Sequence, residues 1–238
     1  MNKVSWAQVL LVFWLMLNSM SAVASDAEVK ALLDKAEANL LLNVSLAENL
    51  LSHAQSLMTG DEKPEQGARL LNLQAHVDIL KHHLNDAYAK AKAAEQLALK
   101  ANNKLQLAEA IRKQGIINFL LDFDGEALEL LSKSLTLHQQ LNSEYVLNNL
   151  QAIGNVYARN INWAESLIGI GEQLVEKAII RDNAYFEEQG YSFIISGLIN
   201  QGNYAQASLN ATQALNILGK DSFIIYYYAA LAESKLKN

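Results

Sequence analysis

Five histidines (His53, His76, His82, His83 and His138) are the residues in this chain best suited to bind a metal or move a proton. His76 and His83 stand seven apart, which puts them on one face of a continuous helix. His82 and His83 are adjacent and point about a quarter-turn apart. A metal site needs three or four converging ligands, and only Asp78, four residues before His82, adds one. There is no cysteine, which excludes disulfides, thiol catalysis and Cys-based metal sites. No metal and no cofactor are therefore expected.

Other chemistry is equally sparse. Asp122-Phe123-Asp124-Gly125-Glu126 opens like a calcium loop, but the glycine falls at the fourth place and not the sixth. Asp124 is better placed to cap a helix beginning at Gly125. Gly-x-Ser-x-Gly, His-Glu-x-x-His and a phosphate-binding glycine loop are all absent. No nucleophile–base pair is visible, so no catalytic residue is assigned and the chain is not expected to be an enzyme.

The elements that must position these residues are helices. Just over half of the 238 residues are apolar, and with one proline and 11 glycines there are few breakers. The formal net charge of −6 argues against a nucleic-acid partner. Apolar residues recur at three- and four-residue spacing, predicting helices near 27–42, 45–58, 64–83, 86–101, 104–121, 125–140, 143–159, 162–181, 184–200, 203–218 and 221–236. Ser45-Leu46-Ala47-Glu48 and Asn162-Trp163-Ala164-Glu165 have the spacing of capping boxes. Pro64 can open a helix, Gly219 can end one and Asp221 can cap the last. Connections this short make consecutive helices antiparallel.

The first 24 residues stand apart. Lys3 is followed by an unbroken apolar run, Val9 to Leu17, and then by the small-x-small pattern Ala22-Val23-Ala24. Charged start, short apolar centre and small-residue exit together read as a secretory signal, 1–24, ahead of a helical domain, 25–238. The run falls short of the roughly 20 residues that span a bilayer. Its removal takes Lys3 with it and leaves a formal charge of −7.

The helices come in pairs. Leu150, Ile153, Gly154, Tyr157, Trp163 and Ser166 sit at the spacing of the tetratricopeptide (TPR) pattern, and Gly202-Asn203-Tyr204 with Ala207, Ala211 and Ala214 matches its second half. Small residues opening successive second helices are read at Ala47, Ala91, Ala127, Ser166 and Ala207, intervals of 44, 36, 39 and 41 against the usual 34. The mature chain thus resembles the longer-helix variants of the TPR family. The resemblance implies an all-α fold: antiparallel pairs stacked as a right-handed solenoid, about five pairs plus a terminal capping helix.

In such repeats the first helix of each pair lines the concave side. The resemblance therefore implies a groove presenting His76, His83, Glu109, Arg112, Phe119, Asn148, Gln151, Asn155, Arg159, Gln189, Ser192 and Asn200. Asn and Arg suit capture of a peptide backbone or a carboxylate. A protein or peptide partner is expected, with the membrane reached only through a downstream segment. The layout is similar to the periplasmic sensory regions of bacterial diguanylate cyclases with a GGDEF output domain. The alternatives are a free-standing periplasmic scaffold for envelope assembly and an all-α envelope enzyme, which would need convergent carboxylates.

Overall fold

The computed structural model describes residues 26–58, 64–219 and 222–236. The proposed signal, the apolar run Val9–Leu17 and Asp221 lie outside these residues. Described residues form eleven α-helices: α1 (26–39), α2 (Val44–Leu57), α3 (Pro64–Leu80), α4 (Leu84–Lys100), α5 (Lys104–Leu120), α6 (Asp124–Gln140), α7 (Val146–Tyr157), α8 (Ala164–Ile180), α9 (Ala184–Asn200), α10 (Tyr204–Leu218) and α11 (Phe223–Leu236). A 3₁₀ turn, Ile161–Trp163, precedes α8. No described helix is long and apolar enough to cross a membrane.

One turn design recurs. His82, Asn102, Asp122, Asn142, Asp182 and Gly202 all have positive φ, between 47° and 76°, and fall at multiples of twenty residues. After α3, the His83 N–H donates to the Asp78 carbonyl (2.8 Å) and the His82 N–H to the Ile79 carbonyl (3.1 Å). That is the Schellman motif, which satisfies the free carbonyls of a helix end. It returns after α4, α5, α6, α8 and α9, as in Asn103 to Ala98 (2.9 Å) and Asn183 to Ala178 (3.0 Å). Asn, Asp and Gly tolerate this left-handed conformation, whereas His is strained in it. His82→Gly is expected to raise stability by about 1 kcal/mol, read as a higher urea midpoint with an unchanged slope.

The turns correct several sequence expectations. Helix α3 stops at Leu80, because His82 takes the left-handed conformation. Asn43, and not Ser45, caps α2, its side chain accepting from the Leu46 N–H at 3.0 Å. Glu48 does not reach back to a cap but pairs with Lys81 at 2.8 Å. At the other proposed capping box Asn160 caps the 3₁₀ turn, accepting from the Asn162 N–H at 3.0 Å. Asp124 is the first residue of α6 and caps nothing; Phe123 holds the cap position without a side-chain bond. Pro64 opens α3 and Gly219 ends α10 with φ +86°, as expected.

Packing fixes the repeat at forty residues. Three buried positions of the second helices recur at that interval: Ala47, Ala87, Ala127, Leu167 and Ala207; then Leu51, Ala91, Leu131, Gly171 and Ala211; then Ala54, Ala94, Ser134, Leu174 and Ala214, with α8 burying Ala164 and Ile170 as well. This replaces the uneven intervals read from the sequence. Ala91 belongs one helical turn further on, and Ser166 is exposed beside the buried Leu167.

Contacts group the chain into two compact units, one ending at Lys113 and one beginning at Gln114. In the first, Val29, Leu32, Leu33 and Ala36 of α1 pack with Leu51 of α2 and with Leu70, Leu73 and Val77 of α3. In the second, one cluster centres on Leu131, Leu150, Ile153, Leu167 and Leu174. Another joins Ile195 and Leu198 of α9, Ala211 of α10 and Ile225 of α11.

Candidate functional site

The first unit holds a buried ionic cluster. Asn72 and His76 lie one turn apart on α3, and Gln106, Glu109, Arg112 and Lys113 follow at helical spacing on α5. The Arg112 guanidinium donates twice to Glu109, from Nε to Oε1 at 2.8 Å and from Nη2 to Oε2 at 2.7 Å. Lys113 Nζ donates to the same Oε2 at 3.3 Å and stands 3.4 Å from His76 Nδ1. The Asn72 amide donates to the Gln106 carbonyl and to Gln106 Oε1, each at 3.0 Å. Its own Oδ1 is buried without a hydrogen-bond partner among the described residues.

These charges sit in apolar surroundings, and their proton affinities follow. Burial, then the neighbouring Arg112 charge, lowers Lys113 to about 8. The Lys113 charge, reinforced by burial and Arg112, lowers His76 to about 2, so the imidazole is neutral near pH 7 and its Nδ1 accepts from the ammonium. Arg112 is only 6% exposed. Two of its N–H groups bond Glu109 inside the unit, which differs from the open-groove placement expected for it.

The second unit carries a polar stripe that solvent reaches. Asn148, Gln151, Asn155 and Arg159 follow one another along α7 and its exit at three- and four-residue steps, the first two partly exposed and the last two exposed. Gln151 Nε2 donates to the Tyr185 hydroxyl at 2.9 Å. Arg159 Nη1 donates to Asp122 Oδ1 at 2.7 Å and to Asp124 Oδ1 at 3.0 Å. Its guanidinium carbon lies 3.8 Å from the centre of the Phe119 ring, a cation–π contact. The acidic run that opens like a calcium loop is thus an anchor for an arginine. Both bonds use Nη1, so toward the described residues Nη2 stays uncommitted.

The remaining candidates scatter. His83 lies in the turn before α4, exposed, off the α3 face that carries His76. Ser192 is buried, its hydroxyl donating to the Gln189 carbonyl at 2.7 Å, and Gln189 and Asn200 are partly exposed. His138 is fully buried, tilted at 49° against Tyr145 with ring centres 5.6 Å apart. Among the described residues no three His, Asp or Glu side chains come together as a metal site. Sequence reasoning missed Lys113 and Asn72. A signal was present: Gln106, Glu109 and Lys113 recur at i, i+3 and i+7 on a helix where an apolar face was due.

No family model matches the chain, and no curated protein matches it. Among solved structures, the crystal structure of BtubC (BKLC) from P. vanneervenii superposes with a TM-score of 0.61 at 14% identity, over 82% of this chain and 91% of that one. The fold is all-α and TPR-like. The TPR2AB-domain:pHSP90 complex of yeast Sti1 aligns over 92% of this chain and 85% of that one at 16% identity, with a TM-score of 0.36. At these identities the likeness concerns the path of the chain.

Proposed function

We propose that this chain is a non-catalytic domain that binds a protein or peptide partner in the periplasm, as the sensory part of a membrane signalling protein. The observation that carries the binding reading is the α7 stripe Asn148–Gln151–Asn155–Arg159. Carboxamides both donate and accept, which matches an extended peptide backbone. The guanidinium is held by Asp122, Asp124 and Phe119, yet Nη2 remains for a carboxylate.

The test compares the protein as the cell leaves it with an Asn155→Ala, Arg159→Ala variant in affinity capture from envelope extract. The partner so identified is then titrated against both. Losing two polar contacts should weaken binding by about tenfold. Equal affinity of the two proteins would rule out the stripe. The export reading rests on the Lys3, Val9–Leu17 and Ala22-Val23-Ala24 pattern. It expects a periplasmic protein whose mass begins at Ser25, and a cytosolic protein beginning at Met1 would sink it. The sensory reading rests on the resemblance of the whole layout. It expects the gene to continue past codon 238 into a membrane span and a Gly-Gly-Asp/Glu-Glu-Phe motif, where a stop codon would favour the free-standing scaffold.

A further inference from the structure

The two terminal helices of the described chain treat solvent differently. The outward positions of α1 carry Glu28, Lys30, Asp34 and Lys35, the polar outer face that an end helix of a repeat array needs. The outward positions of α11 carry Phe223 (85% exposed), Tyr226 (44%), Tyr227 (57%) and Ala230. They follow at i, i+3, i+4 and i+7, so they form one stripe along the helix. At about 200 Å² per aromatic side chain, these exposures leave roughly 370 Å² of ring surface in water. That is the size of the largest patch on an ordinary monomer, and such patches are commonly interaction sites. The stripe is also held in place: the Tyr227 ring meets the partly buried Tyr228 ring edge-on, centres 5.3 Å apart.

We propose that α11 is a self-association surface on which the same helix of a second copy lies antiparallel. Three observations select that occupant. The stripe is complementary to itself: about a two-fold axis between residues 226 and 227, Phe223 faces the partner's Ala230 and Tyr226 faces the partner's Tyr227. Large against small is how this chain already packs helices, since a Cβ at Gly115 would meet Leu131 and one at Gly154 would meet the Phe193 ring. The charges also fit. No residue from Phe223 to Ala232 is charged, so two copies of a chain with net charge −6 can meet here without repulsion. The aromatic stripe is less than half of the area each partner gives a standard interface, so the dimer is weak and concentration-dependent.

Sedimentation velocity of the protein as the cell leaves it, across roughly 1 to 200 μM to bracket a small interface, tests the proposal. The expected result is a monomer at the low end and a growing dimer fraction at the high end. Tyr227→Glu places two carboxylates near the axis and Ala230→Arg fills the space that Phe223 needs. Both positions are exposed, so both variants should keep the native helical signal and melting midpoint, and both should stay monomeric at every concentration. A wild-type chain that remains monomeric throughout overturns the proposal. So does a dimer that both variants retain, which would put the contact elsewhere. If the stripe is instead held by a different protein, the chain alone is monomeric, and that too overturns it.

Discussion

Gly169→Ala and Gly171→Ala, two residues apart on α8, are expected to move stability in opposite directions. A Cβ at Gly169 meets nothing within 4 Å. Alanine there restricts the unfolded chain and favours the helix, for a gain of about 0.5–1 kcal/mol. A Cβ at Gly171 would sit 2.8 Å from the Gly190 carbonyl oxygen and 3.0 Å from the Ile194 backbone nitrogen. Both obstacles are backbone, so no rotamer change relieves them. The reciprocal contact is as tight, with a Cβ at Gly190 lying 2.9 Å from the Gly171 carbonyl oxygen and 2.6 Å from Val175 Cγ2. Gly197 repeats the contact against the Ala164 carbonyl oxygen at 2.9 Å. Helices α8 and α9 therefore touch backbone to backbone. Gly171→Ala should cost about 3 kcal/mol, the upper range for overpacking, and Gly190→Ala about as much. Urea unfolding of the three variants checks this; a neutral Gly171→Ala would mean that α8 and α9 separate freely.

The second large effect is electrostatic. Lys113 titrates at about 8 in the native chain and near its ordinary 10.5 when unfolded. Between those values the unfolded chain holds the extra proton, so native stability rises as pH rises from 8 to 10.5. Below pH 8 the native state carries the full cost of a buried ammonium. Lys113→Met removes that cost while Glu109 keeps its two bonds to Arg112. It is expected to stabilise the chain at pH 7 by about 1–3 kcal/mol, the range for replacing buried charge with apolar volume. The gain should fade above pH 10. His76 provides an independent readout. Its native value of about 2 is set first by the Lys113 charge, so in Lys113→Met its imidazole resonances should titrate much nearer 6.5. Below pH 6.5 the unfolded wild-type chain binds a proton that native His76 refuses, so acid destabilises the wild type more than the variant. A His76 titration that ignores the substitution would show that the 3.4 Å contact carries no coupling.

The helices were legible because apolar residues recur at three- and four-residue spacing between polar turns, and every expected helix has its counterpart among the described residues. Phase was harder. Helix α4 holds alanines at 87, 89, 91, 93, 94 and 98, and nothing local says which of them face the core. In α8 the large and small positions are exchanged, Leu167 standing where Ala127 stands and Gly171 where Leu131 stands. A search for small residues therefore slides off register. The end of α3 was misplaced because His82 occupies a left-handed turn usually signalled by glycine. Of the candidate site, the α7 stripe was visible in the spacing, whereas the commitment of Arg112 to Glu109 was not. Burial is decided by neighbouring helices, and exposed and buried arginines read alike along a chain.

The forty-residue register also governs how this chain can change its length. One added residue inside a helix rotates everything beyond it by about 100°, turning a buried alanine row toward water. Residues 84–123 and 124–163 each run from the start of one second helix to the residue before the next. Removing or doubling such a block leaves every downstream side chain facing as before. Growth and shrinkage by whole pairs are the changes that the architecture absorbs, and a single codon gained or lost within α4 or α6 is the change it resists.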